Sequence, residues 1–311
     1  MNLIFFGTGV FGLPSLGSLH RSEHRILAVV TGTDKPQGRD LKPAPSRIKS
    51  WALEHGVPVL DFSKETPEFI ETLKKMNADV FVVISFGALL KEGLLDLPTL
   101  GAFNVHASLL PRYRGASPIR AAILHGDEKT GVTVLRMTRQ LDAGDILVQK
   151  EISIDSRESA PDLETRLGGL GSEALLEALE ALQNKTARFI PQNQREATIA
   201  GKITKLDGHI DWNQSTKRVL DRIRAMAGWP GAFSLYKGKR LKVLEAAASS
   251  RPLKKQVKQG TVEVSPAKDA VHVRTGDGWV DLVRVQLESK RPLPAKDFLK
   301  GASLQSGEML E

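Results

Sequence analysis

The sequence contains no cysteine. A disulfide framework, a thiolate nucleophile, Cys-ligated zinc and an iron–sulfur cluster are therefore excluded, and a reducing compartment fits. Long hydrophobic runs are missing as well. The longest apolar stretch, Ala78–Leu90, is broken by Asp79, Ser85 and Gly87. It falls short of the roughly 20 residues a bilayer needs, so no membrane partner is expected. The opening Met1-Asn2-Leu3-Ile4-Phe5-Phe6-Gly7 has no basic region followed by a long apolar one, and no Arg/Ser-rich transit segment. It reads as a first strand and not as a leader, and a cytoplasmic location is expected. Internal repeats and low-complexity segments are also absent.

What is present is an ordinary globular composition. The 311 residues are 41% hydrophobic and 26% charged, enough for a packed core and against a disordered chain. The length suggests two domains. Lys and Arg number 44 against 36 Asp and Glu, a net charge of +8 that points to an anionic partner such as nucleic acid, phosphates or a membrane surface. The excess is uneven. Residues 206–311 hold 19 Lys+Arg and 12 Asp+Glu, which leaves 25 against 24 in residues 1–205.

The first two-thirds alternates short apolar runs with amphipathic ones. Strands are expected at Leu3–Phe6, Ile26–Thr31, Val57–Leu60, Val80–Ser85, Ala102–Val105, Val132–Met137 and Ile146–Ile154. Helices are expected at Phe11–His20, Pro45–His55, Pro67–Met76 and Pro118–His125, with a long closing helix at Ala160–Asn184. That alternation implies βαβ units and a mostly parallel, doubly wound Rossmann-like sheet, an α/β fold. Residues 185–205 lose any sustained period and read as a linker. A helix is expected at Ser215–Ala225, with Ser215 as its N-cap. Five short runs, Phe233–Tyr236, Leu241–Ala246, Gly260–Val264, Ala270–Thr275 and Trp279–Gln286, follow, with hairpin turns at Lys237-Gly238 and Asp277-Gly278. They suggest a small β-barrel of OB-like type. The expected division is a catalytic domain over 1–189, a linker over 190–205 and a barrel over 206–311.

Two places carry chemistry. Gly7-Thr8-Gly9-Val10-Phe11-Gly12 follows a strand and opens a helix, with Asp34 about 20 residues on, a dinucleotide fingerprint. Any tight strand-to-helix turn in such a fold also favours glycine. The denser cluster is Asn104-Val105-His106. Two residues apart at a strand end, both side chains share a face. An Asn amide can donate to a developing oxyanion and a His can move a proton near neutrality. A structural Asn–His pair would look the same. Asp142, in the loop Leu141-Asp142-Ala143-Gly144-Asp145, could orient the imidazole, or be an ordinary Asp-Gly turn. No metal-ligand spacing surrounds these residues. His20 and His24 flank Glu23 in a helix-to-strand turn and read as surface. Jointly, Asn104, His106 and Asp142 form an acyl-transfer or amine-attack constellation.

These residues carry a resemblance. Asn104-Val105-His106, Ser108-Leu109-Leu110-Pro111, Arg114-Gly115 and Leu141-Asp142-Ala143-Gly144-Asp145 resemble the 10-formyltetrahydrofolate-dependent formyltransferases. Ile4-Phe5-Phe6-Gly7-Thr8, the run from Val30 to Arg39, Lys202-Ile203 and Ile210-Asp211-Trp212 extend the likeness over nearly the whole chain. The resemblance implies a catalytic trio of Asn104, His106 and Asp142. It implies 10-formyltetrahydrofolate as co-substrate, bound by Phe86, Gly87, Leu89, Ser108, Leu109, Leu110, Pro111 and Asp142, with no metal. It also implies initiator methionyl-tRNA as the acceptor. The basic loop 34–49, with Lys35, Arg39, Lys42, Arg47 and Lys49, would meet its acceptor stem. A sugar-nucleotide amine is the alternative acceptor, for which the basic loop would be superfluous. A non-catalytic RNA-binding protein on the same fold would be expected to lack one of the trio. A nicotinamide-dependent oxidoreductase is a fourth reading, from the glycine loop. A monomer is expected.

Overall fold

The computed structural model describes residues 1–37, 42–252, 256–301 and 304–311. The chain divides into two compact units. The first comprises Met1–Pro118, Lys129–Ser153 and Glu164–Ala200; the second comprises Ile119–Glu128, Ile154–Leu163 and Gly201–Glu311.

The first unit starts with β1 (Asn2–Gly7), α1 (Leu13–Arg21) and β2 (Arg25–Gly32). A short hairpin, β3 (Lys35–Gln37) and β4 (Lys42–Ala44), leads to α2 (Arg47–Glu54). Next come β5 (Val59–Phe62), α3 (Pro67–Lys75), β6 (Val80–Ile84), α4 (Glu92–Leu95) and β7 (Gly101–His106). β8 (Arg114–Gly115) is followed in the chain by α5 (Pro118–His125), which falls in the second unit from Ile119 on, then by β9 (Lys129–Arg136), β10 (Ile146–Ser153), α6 (Ala160–Gln183), whose residues from Glu164 on belong to the first unit, and β11 (Ile199–Ala200).

Among the described residues, seven strands make the main sheet in the order β10-β9-β7-β6-β1-β2-β5. The five from β7 to β5 are parallel; at one edge β9 runs antiparallel to β7, and β10 antiparallel to β9. The central parallel strands β1 and β6 are almost wholly apolar because both faces are covered. Leu3, Ile4, Phe5, Phe6, Val80, Val82 and Ile84 are fully buried. Local signals agree with the packing. Thr66 caps α3 by accepting from Phe69 N–H at 3.2 Å, and Pro67 takes the first helical position, where its missing N–H costs nothing. Leu73 then anchors the helix, burial worth roughly 1.5–3 kcal/mol.

The glycine loop has a structural explanation. Thr8 and Gly9 N–H both donate to the Ser85 carbonyl, at 3.3 and 3.2 Å. A Cβ on Gly9 would lie 2.8 Å from Ser85 Cβ, and one on Gly7 would lie 2.6 Å from the Phe5 ring. These N–H groups hold the loop to the end of β6 and are not free to cradle a phosphate.

In the second unit, α7 (Thr216–Ala225) starts where expected, with the Ser215 hydroxyl accepting from Arg218 N–H. β12 (Phe233–Tyr236), β13 (Lys239–Ala248), β14 (Val262–Val264), β15 (Val271–Arg274), β16 (Trp279–Leu287) and β17 (Leu293–Pro294) precede α8 (Ala295–Gly301). They form an antiparallel sheet ordered β12-β13-β16-β15-β14, with β17 paired to β16, a half-barrel. The β12–β13 turn has Lys237 at φ 50° and Gly238 at φ 73°, the left-handed pair that matches strand twist. Trp212 is buried and its Nε1 donates to Ser234 Oγ at 2.9 Å.

Three stretches differ from the expected division: Ile119–Glu128 and Ile154–Leu163, expected in the catalytic domain, fall in the second unit, and the linker is the third. The first part of the expected linker is structured, and the first unit runs on to Ala200. β11 pairs in parallel with β8, and Arg114 N–H donates to the Thr198 carbonyl at 2.8 Å.

Candidate active site

The site is built from three segments of the first unit. β7 delivers Asn104 and His106. The loop between β9 and β10 delivers Asp142, because their antiparallel pairing turns the chain back beside β7. The segment 107–115, after β7, folds under both.

Asp142 collects the polar groups. Asn104 Nδ2 donates to its Oδ1 at 3.1 Å, and Gly115 N–H donates to its Oδ2 at 2.8 Å. His106 Nδ1 lies 3.6 Å from the same Oδ2. Both side chains are nearly enclosed, 6% and 8% exposed. His106 Nε2 stands 2.8 Å from the Tyr113 carbonyl. A carbonyl only accepts, so Nε2 carries the proton, and the neutral ring keeps its lone pair on Nδ1, towards the carboxylate. The imidazole is thus oriented by the Tyr113 backbone, while Asp142 faces its other nitrogen, Nδ1.

Asp142 adopts φ 50°, a left-handed conformation that Asp tolerates better than most residues. A second ring of contacts holds it there. Gln192 Nε2 donates to the carbonyls of Asp142 (2.8 Å) and Gly144 (2.7 Å). Gln192 Oε1 accepts from Arg114 Nε (3.1 Å) and Nη2 (2.6 Å). Gly144 is needed for close approach, since a Cβ there would lie 1.9 Å from the Arg136 carbonyl. Sequence reasoning missed Gln192. It lies in a stretch without periodicity, and only the fold brings it to Asp142.

A cleft opens at Asn104 and Asp142. Leu89 and Leu90 form one wall, Leu135 and Met137 another, and the loop residues Gln140–Ala143 a third. Apolar walls with convergent polar groups are the lining that small organic ligands use. Of the expected folate contacts, Leu89 and Asp142 line this cleft. Gly87 is exposed at φ 75°. Phe86 packs into the core against Phe6 and Phe62. Ser108 is fully buried and donates to the Arg112 carbonyl. Leu109 is partly buried, its Cδ2 facing Gly131, and Pro111 is partly buried as well. Leu110 is buried, its N–H donating to Thr133 Oγ1 and its carbonyl accepting from Gln149. Among the described residues, no group of three His, Asp or Glu could hold a metal ion.

The basic loop is in part a hairpin. Arg39 lies outside the described residues, as do the side chains of Lys35 and Lys42. Arg47 is exposed at the start of α2. Lys49 is engaged: its Nζ donates to Asp34 Oδ1 and Asp61 Oδ1, both at 2.8 Å. Its hydrogen bond to Asp34, then that to Asp61, raises its pKa above the ordinary lysine value.

Comparison with known proteins places this geometry. Residues 1–179 match the Formyl transferase family and residues 202–303 match the Formyl transferase, C-terminal domain family. The chain belongs to the formyl transferase family. It is 39% identical to the methionyl-tRNA formyltransferase of Caldanaerobacter subterraneus subsp. tengcongensis over 315 residues, covering 100% of both chains. It is 35% identical to that of Sulfurihydrogenibium sp. over 313 residues, again 100% of both. Solved structures share the fold. WlaRD, a sugar 3N-formyl transferase solved with dTDP and 5-N-formyl-THF, superposes with a TM-score of 0.67 at 18% identity, over 94% of this chain and 99% of that one. HypX from Aquifex aeolicus, in complex with tetrahydrofolic acid, gives 0.64 at 18% identity, over 99% of this chain and 50% of that one.

Proposed function

We propose that this protein transfers the formyl group of 10-formyltetrahydrofolate to the α-amine of methionyl-initiator-tRNA. The observation that carries the reading is the end-to-end likeness, at 35–39% identity, to methionyl-tRNA formyltransferases. The sugar formyl transferase resembles it at only 18%.

The site geometry supports a direct transfer. The neutral amine attacks the formyl carbon on N10, forming a C–N bond and a tetrahedral oxyanion. One N–H of Asn104 is engaged by Asp142; the other is the donor for that oxyanion. The amine's surplus proton goes to His106 Nδ1, and the imidazolium that results is stabilised by Asp142, 3.6 Å away. The same proton is returned to N10 as the C–N10 bond breaks, so the folate leaves neutral at that nitrogen. Leu89, Leu90, Leu135 and Met137 provide the apolar surface for the pterin and benzoyl rings.

Arg39 and Arg47, with Lys35 and Lys42, meet acceptor-stem phosphates, and Lys49 braces the hairpin base. The domain 206–311, with most of the net charge, holds the tRNA backbone. The reaction takes place in the cytoplasm, where charged tRNA is available. No helix among the described residues is long and apolar enough to cross a membrane. The test supplies 10-formyltetrahydrofolate with charged initiator tRNA and, in parallel, an amino-sugar nucleotide. Formylmethionyl-tRNA as the main product is expected; product in the sugar reaction alone rejects the reading.

A further inference from the structure

We infer that Gln192 is a positioning residue for formyl transfer, a bracket that holds the Asp142 carboxylate in its working place. The inference rests on the reading of Asp142 as part of the catalytic group. Gln192 is 7% exposed, and both ends of its side-chain amide are hydrogen-bonded. Its amide nitrogen donates to the carbonyls of Asp142 and Gly144, on both sides of Ala143. Two bonds to carbonyls two residues apart fix the local path of the chain and, with it, the left-handed φ of Asp142. The amide oxygen is itself fixed by Arg114, whose Nη1 donates further to Gln194 Oε1 at 2.9 Å.

The polarity of this chain of bonds is forced. Arg114 has only donors, so the Gln192 oxygen must face it, and the Gln192 nitrogen must face the loop. No other uncharged side chain of this length supplies an acceptor at one corner and two donors at the other. Glutamate can pair with Arg114, but offers oxygen where the two carbonyls need N–H. The same strip of chain also steadies the other catalytic partner. Thr198 Oγ1 accepts from Tyr113 N–H at 2.8 Å, and the Tyr113 carbonyl receives His106 Nε2–H. Residues 192–200 therefore brace Asp142 through one contact and His106 through another.

The test is a double-mutant cycle on formyl transfer from 10-formyltetrahydrofolate to charged initiator tRNA, read as single-turnover rates. Gln192→Glu and Gln192→Met are each compared with wild type, then combined with Asp142→Asn. Either single variant is expected to slow transfer by about 10²-fold, the scale for a displaced catalytic group, with the KM for tRNA within twofold of wild type. In the Asp142→Asn background the same change is expected to cost less than twofold, since a bracket has nothing left to position. Gln192→Met keeps the volume without charge, so it carries the test if the glutamate variant misfolds. Transfer within twofold of wild type in the folded Gln192→Met protein overturns the inference, and so does a loss that is equally large in the Asp142→Asn background. If Asp142→Asn itself leaves the rate unchanged, the catalytic reading of Asp142 fails instead, and the bracket with it.

Discussion

Asn104 Nδ2 donates to Asp142 Oδ1 at 3.1 Å. The bond sets the amide plane, because a carboxylate only accepts, and in the proposed mechanism the second N–H is the oxyanion donor. Asn104→Ala is expected to keep the fold and to lower turnover on the order of 10²–10³-fold. Steady-state transfer measured beside a circular dichroism melt checks this. A folded variant with near-normal turnover would remove Asn104 from the mechanism.

His106→Gln separates the two nitrogens of the imidazole. Glutamine retains an N–H for the Tyr113 carbonyl but has no basic nitrogen opposite Asp142. Folate binding, followed by fluorescence, is expected to persist while transfer falls by about 10²–10⁴-fold, the range for loss of a general acid–base. Loss of folate binding with unaltered transfer at saturation would contradict the assignment.

Arg47 and Lys49 are two residues apart, but they are expected to behave differently towards tRNA. Arg47 is exposed, whereas Lys49 already faces two carboxylates. Arg47→Ala is expected to reduce the slope of log affinity against log salt by about 1, one phosphate contact. Lys49→Ala is expected to leave that slope nearly unchanged. Filter binding of charged tRNA across a salt series distinguishes them; equal slope changes would mean that Lys49 leaves its carboxylates for phosphate.

His24 gives a stability test independent of catalysis. It is half-buried, and its Nδ1 lies 3.5 Å from the Met1 ammonium. Burial, then the ammonium charge, lowers its pKa from the ordinary 6.5. The unfolded chain therefore binds the proton more readily, and stability is lost as pH falls below 6.5 towards the folded-state value. His24→Gln is expected to show a shallower fall in Tm between pH 7.5 and 5.5 than wild type. Parallel curves for the two proteins would show that His24 contributes nothing to the slope.

The sheet was legible because its strands are buried on both faces and read as short apolar runs, such as Leu3–Phe6 and Val80–Ile84. Ser215 as an N-cap and the Lys237-Gly238 turn were legible because each depends on local chemistry alone. Asn104 and His106 announced themselves by sharing a strand face. What stayed hidden depends on contacts across long separations. The antiparallel direction of β9 and β10 is not a property of either run. His24 reads as a surface residue, yet burial perturbs it. Gln192 sits fifty residues beyond Asp142 in a stretch with no pattern, and the pairing of β11 with β8 and the bridge between Ile146 and Ile190 hold that stretch to the first unit. The orientation of His106 by a backbone carbonyl, not by Asp142, is likewise a consequence of how residues 107–115 fold.

The most direct test is single-turnover formyl transfer from 10-formyltetrahydrofolate to methionyl-initiator-tRNA by wild type and Asp142→Asn, both substrates saturating. Asparagine matches the shape but removes the charge that stabilises a protonated His106. The expected result is formylation of the methionine amine by wild type and a rate at least about 10²-fold lower in a folded Asp142→Asn protein. Failure of wild type to formylate the amine, or a variant rate within twofold of wild type, would contradict the mechanism.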